Sequence, residues 1–230
     1  VSTFQDFVTA RYGEVNNQNT RALPFLKDAT VRQLKELSSF HTRFMEAQLA
    51  FNLTAQQESY GAGYPGFPVD VMEITTLYVE VGDPPIRYEI KGPVGIAELR
   101  FERYPTAIGF AVPHPRRWAW HAEQVWFYPR PGAVVTVKGD YFRDATRDST
   151  TGNVIATTDT TSTNPWFSRG ENFLRCAVLA EYHMSISGDD SQAARYGAQA
   201  EAAKASLRRE FILAKGSSFQ AATYAFGEDC

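Results

Sequence analysis

The chain has 230 residues, 43% of them hydrophobic, 13% aromatic and 21% charged, which gives room for one ordinary domain or two small ones and is too apolar for a disordered protein. A formal net charge of -3 argues against electrostatic capture of nucleic acid or acidic membrane by the molecule as a whole, leaving room only for a local basic patch. Two cysteines, Cys176 and Cys230, make neither a disulfide framework nor a metal-ligand cluster. No apolar run approaches the roughly 20 residues that span a bilayer, and Val1-Ser2-Thr3-Phe4 does not open a secretion signal, so synthesis in the cytoplasm as a soluble protein is expected.

In chain order, Phe4 to Tyr12 reads as a short helix showing Phe4, Phe7 and Val8 on one side and ended by Gly13, with Asn16-Asn17-Gln18-Asn19 as a polar connection. Thr30 and Gln33 have capping-box spacing, and Leu37, Phe40, Phe44, Ala47 and Phe51 then recur every three or four residues. That spacing predicts a second helix with a buried stripe about four turns long. Gly61-Ala62-Gly63-Tyr64-Pro65-Gly66-Phe67-Pro68 ends helical geometry.

From there to about Phe142 the period changes to two. Strands are expected at Thr75 to Val81, Ile86 to Ile90, Leu99 to Phe101, Ala107 to Val112, Gln124 to Tyr128 and Ala133 to Lys138, separated by turn formers such as Gly82-Asp83-Pro84-Pro85 and Pro129-Arg130-Pro131-Gly132. Short connections favour antiparallel pairing, because parallel strands need crossovers for which there is no room.

Thr146 to Thr163 is rich in threonine and carries a small apolar patch at Val154-Ile155-Ala156, so it reads as a flexible loop or hairpin that orders against a neighbour. Asn164-Pro165 has the chemistry of an N-cap followed by proline at the first helical position. The helix behind it carries a stripe of Phe173, Ala177, Ala180 and Met184, and Gly188-Asp189-Asp190 supplies a break and a cap. A last helix, about Ser191 to Leu213, presents Tyr196, Ala200, Ala203, Leu207 and Phe211 on one face, of which Ala200, Ala203, Leu207 and Phe211 are expected to be buried, with Arg208 and Arg209 turned toward solvent or another subunit. After Lys215-Gly216-Ser217-Ser218 the tail carries Phe219, Tyr224 and Phe226 with almost no charge, as a docking segment would.

These elements make an α+β fold: a helical bundle body, residues 1–66 and 164–215, with an inserted small antiparallel β-sheet or barrel-like unit at 67–145, a flexible loop at 146–163 and a C-terminal tail at 216–230.

The search for bond chemistry returns little. His41, His114, His121 and His183 are widely separated, and neither His-Glu-x-x-His nor a cysteine pair occurs. Asp189 and Asp190 read as helix-capping groups, and Asp70 with Glu73 as the start of a local turn. Gly61-Ala62-Gly63 and Gly92-Pro93-Val94-Gly95 lack the remaining residues of a dinucleotide or phosphate loop. Neither a catalytic residue nor a cofactor or metal is expected.

His114-Pro115-Arg116-Arg117-Trp118-Ala119-Trp120-His121 interleaves arginine with tryptophan. It can be an exposed loop whose arginines bond nearby carboxylates, a subunit interface, or a phosphate-binding surface. The candidate interface residues are therefore Arg116, Arg117, Trp118, Trp120, Val154, Ile155, Arg208, Arg209, Phe219, Tyr224 and Phe226.

With the elements placed, Phe67-Pro68-Val69-Asp70-Val71-Met72-Glu73 followed by strands, then Asn164-Pro165-Trp166-Phe167 leading into Phe173-Leu174-Arg175-Cys176-Ala177-Val178-Leu179-Ala180-Glu181, resembles the layout of head-completion or portal-adaptor proteins of tailed bacteriophages. The resemblance implies a structural, non-enzymatic protein at the head-tail junction of the virion, forming a homo-oligomeric ring, commonly a dodecamer, beneath the portal protein. It implies a tail or nozzle protein as second partner, and proximity to genomic DNA in the channel without sequence recognition. Two rival readings are a tail-associated carbohydrate-binding or host-contact component, based on Tyr104, Trp118, Trp120, Trp126 and Tyr128, and a soluble hydrolase with spatially assembled acids.

Overall fold

The structure is a computed structural model that describes residues 2–15, 20–101 and 114–224, and the side chains of all these except 100, 101 and 215–224. The strand expected at Ala107 to Val112 lies outside the described residues. Contacts divide the chain into two compact units, residues 1–45 with 144–230, and residues 46–143. The inserted unit therefore starts at residue 46, earlier than the hydropathy pattern places it.

The first unit is helical. Helix α1 (Phe4–Val15) opens with a reciprocal cap: the Asp6 amide donates to Thr3 Oγ1 at 3.1 Å and the Thr3 amide to Asp6 Oδ2 at 3.0 Å. It buries Phe4, Phe7, Val8 and Arg11, and it runs through Gly13 instead of stopping there. Helix α2 (Ala22–Glu36) buries Leu26, Ala29, Thr30, Gln33 and Leu34, so Thr30 sits mid-helix, its hydroxyl donating to the Leu26 carbonyl, and does not begin the helix.

The expected helical stripe beyond Leu37 does not exist. A short 3-10 turn (Leu37–Ser39) follows α2, and Glu46–Leu53 is strand β1, with Leu49, Phe51 and Leu53 buried and Glu46, Gln48, Ala50 and Asn52 turned away from the core. Phe40 and Phe44 lie against Trp166, at 6.2 and 4.9 Å between ring centroids, whereas Phe51 belongs to the other unit's core. One apparent stripe is thus two half-stripes serving different cores.

The second unit holds two antiparallel sheets. Strand β2 is Ser59–Gly61, β3 Val71–Val81, β4 Ile86–Glu89, β5 Arg117–His121, β6 Gln124–Tyr128 and β7 Val135–Arg143. Their orders are β1-β7-β3-β4 and β2-β6-β5. Leu49, Tyr60, Leu77, Trp118, Phe127 and Val137 come from both sheets into one shared core. A single parallel bridge, Lys91 to Arg117, links the sheets, and no pairing of β1 with β2 closes them into a barrel among the described residues. The strand expected at Leu99 to Phe101 is a six-residue helix, α3 (Ile96–Phe101); a four-residue alternation does not separate a strand from one helical turn. The segment read as a loop at His114 to His121 contains β5. Its turn to β6 uses Ala122 and Glu123, both at positive φ (52° and 58°), so the hairpin carries none of the glycine or asparagine that normally marks it.

The chain then returns to the helical unit through residues 146–163, which pack on that unit. Asp148 is buried, and its carboxylate accepts from the amides of Thr150, Thr151 and Thr163. Thr163 bridges to Thr3, and the Phe4 amide donates to the Ser162 carbonyl at 2.8 Å, so the segment also fixes the start of α1. Asn164 caps the next turn (Pro165–Phe167) by accepting from the Trp166 amide, as its sequence chemistry predicts, while its Nδ2 donates to the Ala145 and Arg147 carbonyls. Helix α4 (Glu171–Tyr182) follows, then a π-helical turn (His183–Ser187), then helix α5 (Asp190–Tyr224), which continues through Gly216 where a break was expected. Met184, expected in the buried stripe of α4, lies in the π-helical turn and is 65% exposed.

Two outcomes follow from this packing. Gly139 on β7 lies beside a register shift in β3 between Ile74 and Thr76, where an added Cβ lands on the Thr76 carbonyl oxygen and 2.8 Å from Leu77 Cδ2. Gly139→Val is expected to lower unfolding free energy by about 3 kcal/mol; an unchanged denaturant midpoint followed by tryptophan fluorescence would contradict the close approach. The second concerns Asp148: burial alone would raise its pKa, but hydrogen bonds from the Thr163, Thr151 and Thr150 amides outweigh it and hold the carboxyl below its ordinary value. Stability from a depressed pKa is present above the unfolded value of about 3.9 and is lost as pH falls through the lower folded value. Asp148→Ala should therefore cost about 3 kcal/mol at neutral pH. The gap between it and the wild type should hold down to about pH 4 and narrow below; a gap that is constant across acid denaturation curves would show that the carboxylate charge is not what ties the segment.

Candidate assembly interface

Helix α5 is the largest element of the first unit, and its entry is strictly set. Gly188 takes the left-handed conformation (φ 64°), and Asp189 Oδ1 accepts from the Gln192 amide at 3.0 Å and the Ser191 hydroxyl at 2.8 Å. The Gln192 and Ser191 hydrogen bonds hold the Asp189 carboxyl below its ordinary pKa, as expected of a helix cap and not of a general acid. The His183 and Tyr196 rings stack at 5.4 Å across the turn.

At 1.5 Å per residue the 35 residues of α5 extend roughly 50 Å, three times the usual helix length. Of the inward row, Ala200 is buried, and Ala203, Leu207 and Phe211 are half-buried instead of fully enclosed. Phe211 faces His41 at 6.5 Å, and Lys204 Nζ lies 5.7 Å from the Phe40 ring centroid. On the outer side Arg195, Ala198, Ala202, Ala205, Arg208 and Arg209 are exposed, and Ile212 and Leu213 are 61% and 72% exposed. Isolated exposed aliphatics are ordinary, but two adjacent ones beside two arginines on a helix that outruns its own cover form an unpartnered face.

Between α2, α4 and the first half of α5 lies a groove of about 490 Å³. Ala177 and Ala180 on α4 and Ala193, Ala194 and Gly197 on α5 form its floor; Glu36, Glu181, Asp190 and Glu201 stand at its rim with Lys204. Glu181 is engaged by Arg32 at 2.9 Å and by Gln33. Cys176, on the other side of α4, is a buried free thiol whose pKa burial pushes up, which makes it a poor nucleophile.

The remaining sequence candidates scatter. Trp118 is fully buried in the β-unit core and Ile155 is buried in the helical unit, so neither presents a side chain to a neighbour. Trp120 stacks on Phe67 at 6.4 Å. Arg117 pairs with Glu98 at 3.0 Å; Arg116 and Val154 are exposed. Phe219 and Tyr224 lie on the far end of α5, and Phe226 falls outside the described residues. The sequence reading missed Ile212, Leu213, Met184 and the groove. Ile212 and Leu213 carried a signal, since they fall off the Leu207-Phe211 row; the groove did not, because three separate segments build it.

Among the described residues no group of three or more His, Cys, Asp and Glu comes together as a metal site, and no helix is long and apolar enough to cross a membrane. Asp70, read with Glu73 as the start of a local turn, directly precedes strand β3, which contains Glu73; it is buried and accepts from the Tyr141 hydroxyl at 3.0 Å and from Arg143 at 3.3 Å. Rings considered as a sugar platform, Trp118 and Trp120, are spent on internal packing.

No curated protein matches the chain. The family model of the SU10 adaptor protein matches residues 1–222, spanning both units and most of α5. A match over that length shows the family, one of head-to-tail connectors: the chain belongs to the SU10 adaptor protein family, with the general role of a structural adaptor.

Proposed function

We propose that this chain assembles into a ring of identical copies, twelve in the arrangement that the phage resemblance implies, seated beneath the portal of a DNA-filled head. Tail or nozzle proteins build on the opposite side, and genomic DNA passes through the lumen without being read. The observation that carries this reading is the family match over residues 1–222. The long α5 supports it, because its exposed Ile212 and Leu213, uncovered in their own subunit, would gain burial from a neighbour. A formal charge of -3 also suits a passage in which many firm phosphate contacts would hold the duplex back.

In this arrangement Arg208 and Arg209 face the adjacent copy, and Arg116 and Val154 are free to meet partners from their respective units. The end of the chain, with Phe219, Tyr224 and Phe226, docks on the portal. No covalent step is involved; the protein works by geometry.

Electron microscopy of the chain mixed with isolated portal rings tests this reading. Added density with the portal's rotational symmetry is expected, and truncation after Ser218 should weaken attachment more than it lowers the melting temperature. Portal rings that stay bare at saturating concentrations of the full chain would overturn it.

A further inference from the structure

We infer that the outer end of α5 in one copy, bearing Arg208, Arg209, Ile212 and Leu213, docks into the groove between α2, α4 and α5 of a second copy; this rests on the ring reading and names the surfaces that make the ring.

The groove is open space and not a tight helix crossing. A Cβ built on Gly197, at its floor, meets nothing within 4 Å, so this glycine is not there to let α4 and α5 approach. About 490 Å³ above a floor of alanines leaves room for branched aliphatic side chains, and Met184, 65% exposed at the edge, offers them an apolar contact. Three carboxylates at the rim, Glu36, Asp190 and Glu201, have no ion-pair partner among the described residues, while Lys204 is the one cation there. The groove is therefore acidic at its lip and apolar within.

The far end of α5 is the complement. Arg208 and Arg209 are exposed and make no ion pair among the described residues, and Ile212 and Leu213 follow one turn on. At about 100° per residue Glu210 points away from this cluster, so the face is basic around an apolar centre. Burying such aliphatics in a neighbour is the usual source of association energy, and paired charges set register and partner choice.

The two surfaces cannot satisfy each other within one copy. The α5 side of the groove and the basic end lie on the same continuous helix, where Arg208 is seven residues, roughly 10 Å, beyond Glu201 along the axis, and neither arginine pairs with a rim carboxylate among the described residues. The complement is met only between copies. The basic end and the groove adjoin at Glu201 and Lys204 but present opposite charge, so pairing one with the other in a second copy is head-to-tail, the kind of contact that propagates into a ring when its rotation closes.

A charge-exchange experiment separates this from other uses of the same faces. The wild type, Arg208→Glu/Arg209→Glu and Glu36→Arg/Glu201→Arg are each followed by sedimentation velocity at increasing concentration, with melting curves as a fold control; all four side chains are exposed. The wild type is expected to assemble, each variant alone to stay at monomer mass, and an equimolar mixture of the two to assemble again, since each reversed surface then meets its opposite. Ile212→Ser/Leu213→Ser, which leaves the charges in place, should weaken assembly at least about tenfold. If both charge variants assemble as the wild type does, the inference fails while the ring stands. If they fail alone and also fail together, these surfaces do not meet one another and the groove takes another occupant, such as a portal or tail segment. A wild type that stays monomeric throughout overturns this inference, since the two surfaces then do not join free copies, while the ring reading stands or falls with the portal experiment.

Discussion

Helix α4 is apolar over most of its surface. Phe173, Leu174, Cys176, Ala177, Val178, Leu179 and Tyr182 are buried within its twelve residues, so only a narrow polar edge with Asn172 can face water and the rest must be covered. Helices α2 and α5 supply most of the cover, and α1 meets α4 through ion pairs, so most of the helical unit can be read as the solution to that one requirement. Helix α2 closes one flank through Phe25 against Tyr182 at 6.3 Å and Arg32 against Glu181. Helix α5 closes another and, having done so, continues well past the end of α4. The part of α5 that α4 does not need is the part left to partners.

The α1 flank is held by charge placed deep. Arg11 is buried, with Glu14 at 2.9 Å and Glu171 at 3.1 Å, and its guanidinium lies 5.0 Å from the Phe7 ring centroid; Arg175 reaches Glu14 from α4 at 2.7 Å. The hydrogen bond that Arg175 donates to Glu14 raises the Arg175 pKa further. Such pairs add little to net stability over an apolar equivalent, but removing one partner leaves a buried charge exposed to the core, so they define how α1 seats on α4. The Asp148 carboxylate then holds the return from the β unit at the same end, through Thr163 and its bridge to Thr3. A unit interrupted by an insertion of nearly a hundred residues is closed again by side-chain to backbone bonds at the point of re-entry.

What the sequence discloses is set by range. The Asn164-Pro165 cap, the Gly188-Asp189 break and the alternation in β4 and β6 are short-range signals that fall where the residues place them, and β3 is found too, though it begins at Val71, ahead of the expected Thr75. Phe40, Phe44 and Phe51 mislead because three aromatics at helical spacing belong to two cores, a fact only the tertiary structure contains. The β5-β6 hairpin hides behind Ala122-Glu123, whose left-handed conformation is imposed by the strands on either side. Helix α5 passes Gly216 because one glycine costs only about 1 kcal/mol in a long helix. For the interface the division is the same: Arg208 and Arg209 are legible as outward residues, whereas Trp118 and Ile155 look like anchors in the sequence and are interior packing in the fold.

The account depends on α5 being half scaffold and half contact, and amide hydrogen exchange in the free subunit and in the portal-bound ring measures that division directly. Residues 190–200, covered by α4, should be protected in both states. Residues 205–213 should exchange faster than 190–200 in the free subunit, where the helix is covered on one side only, and slowly once assembled. Equal rates for 205–213 in the two states would contradict the assignment of this helix as the element that joins one copy to the next.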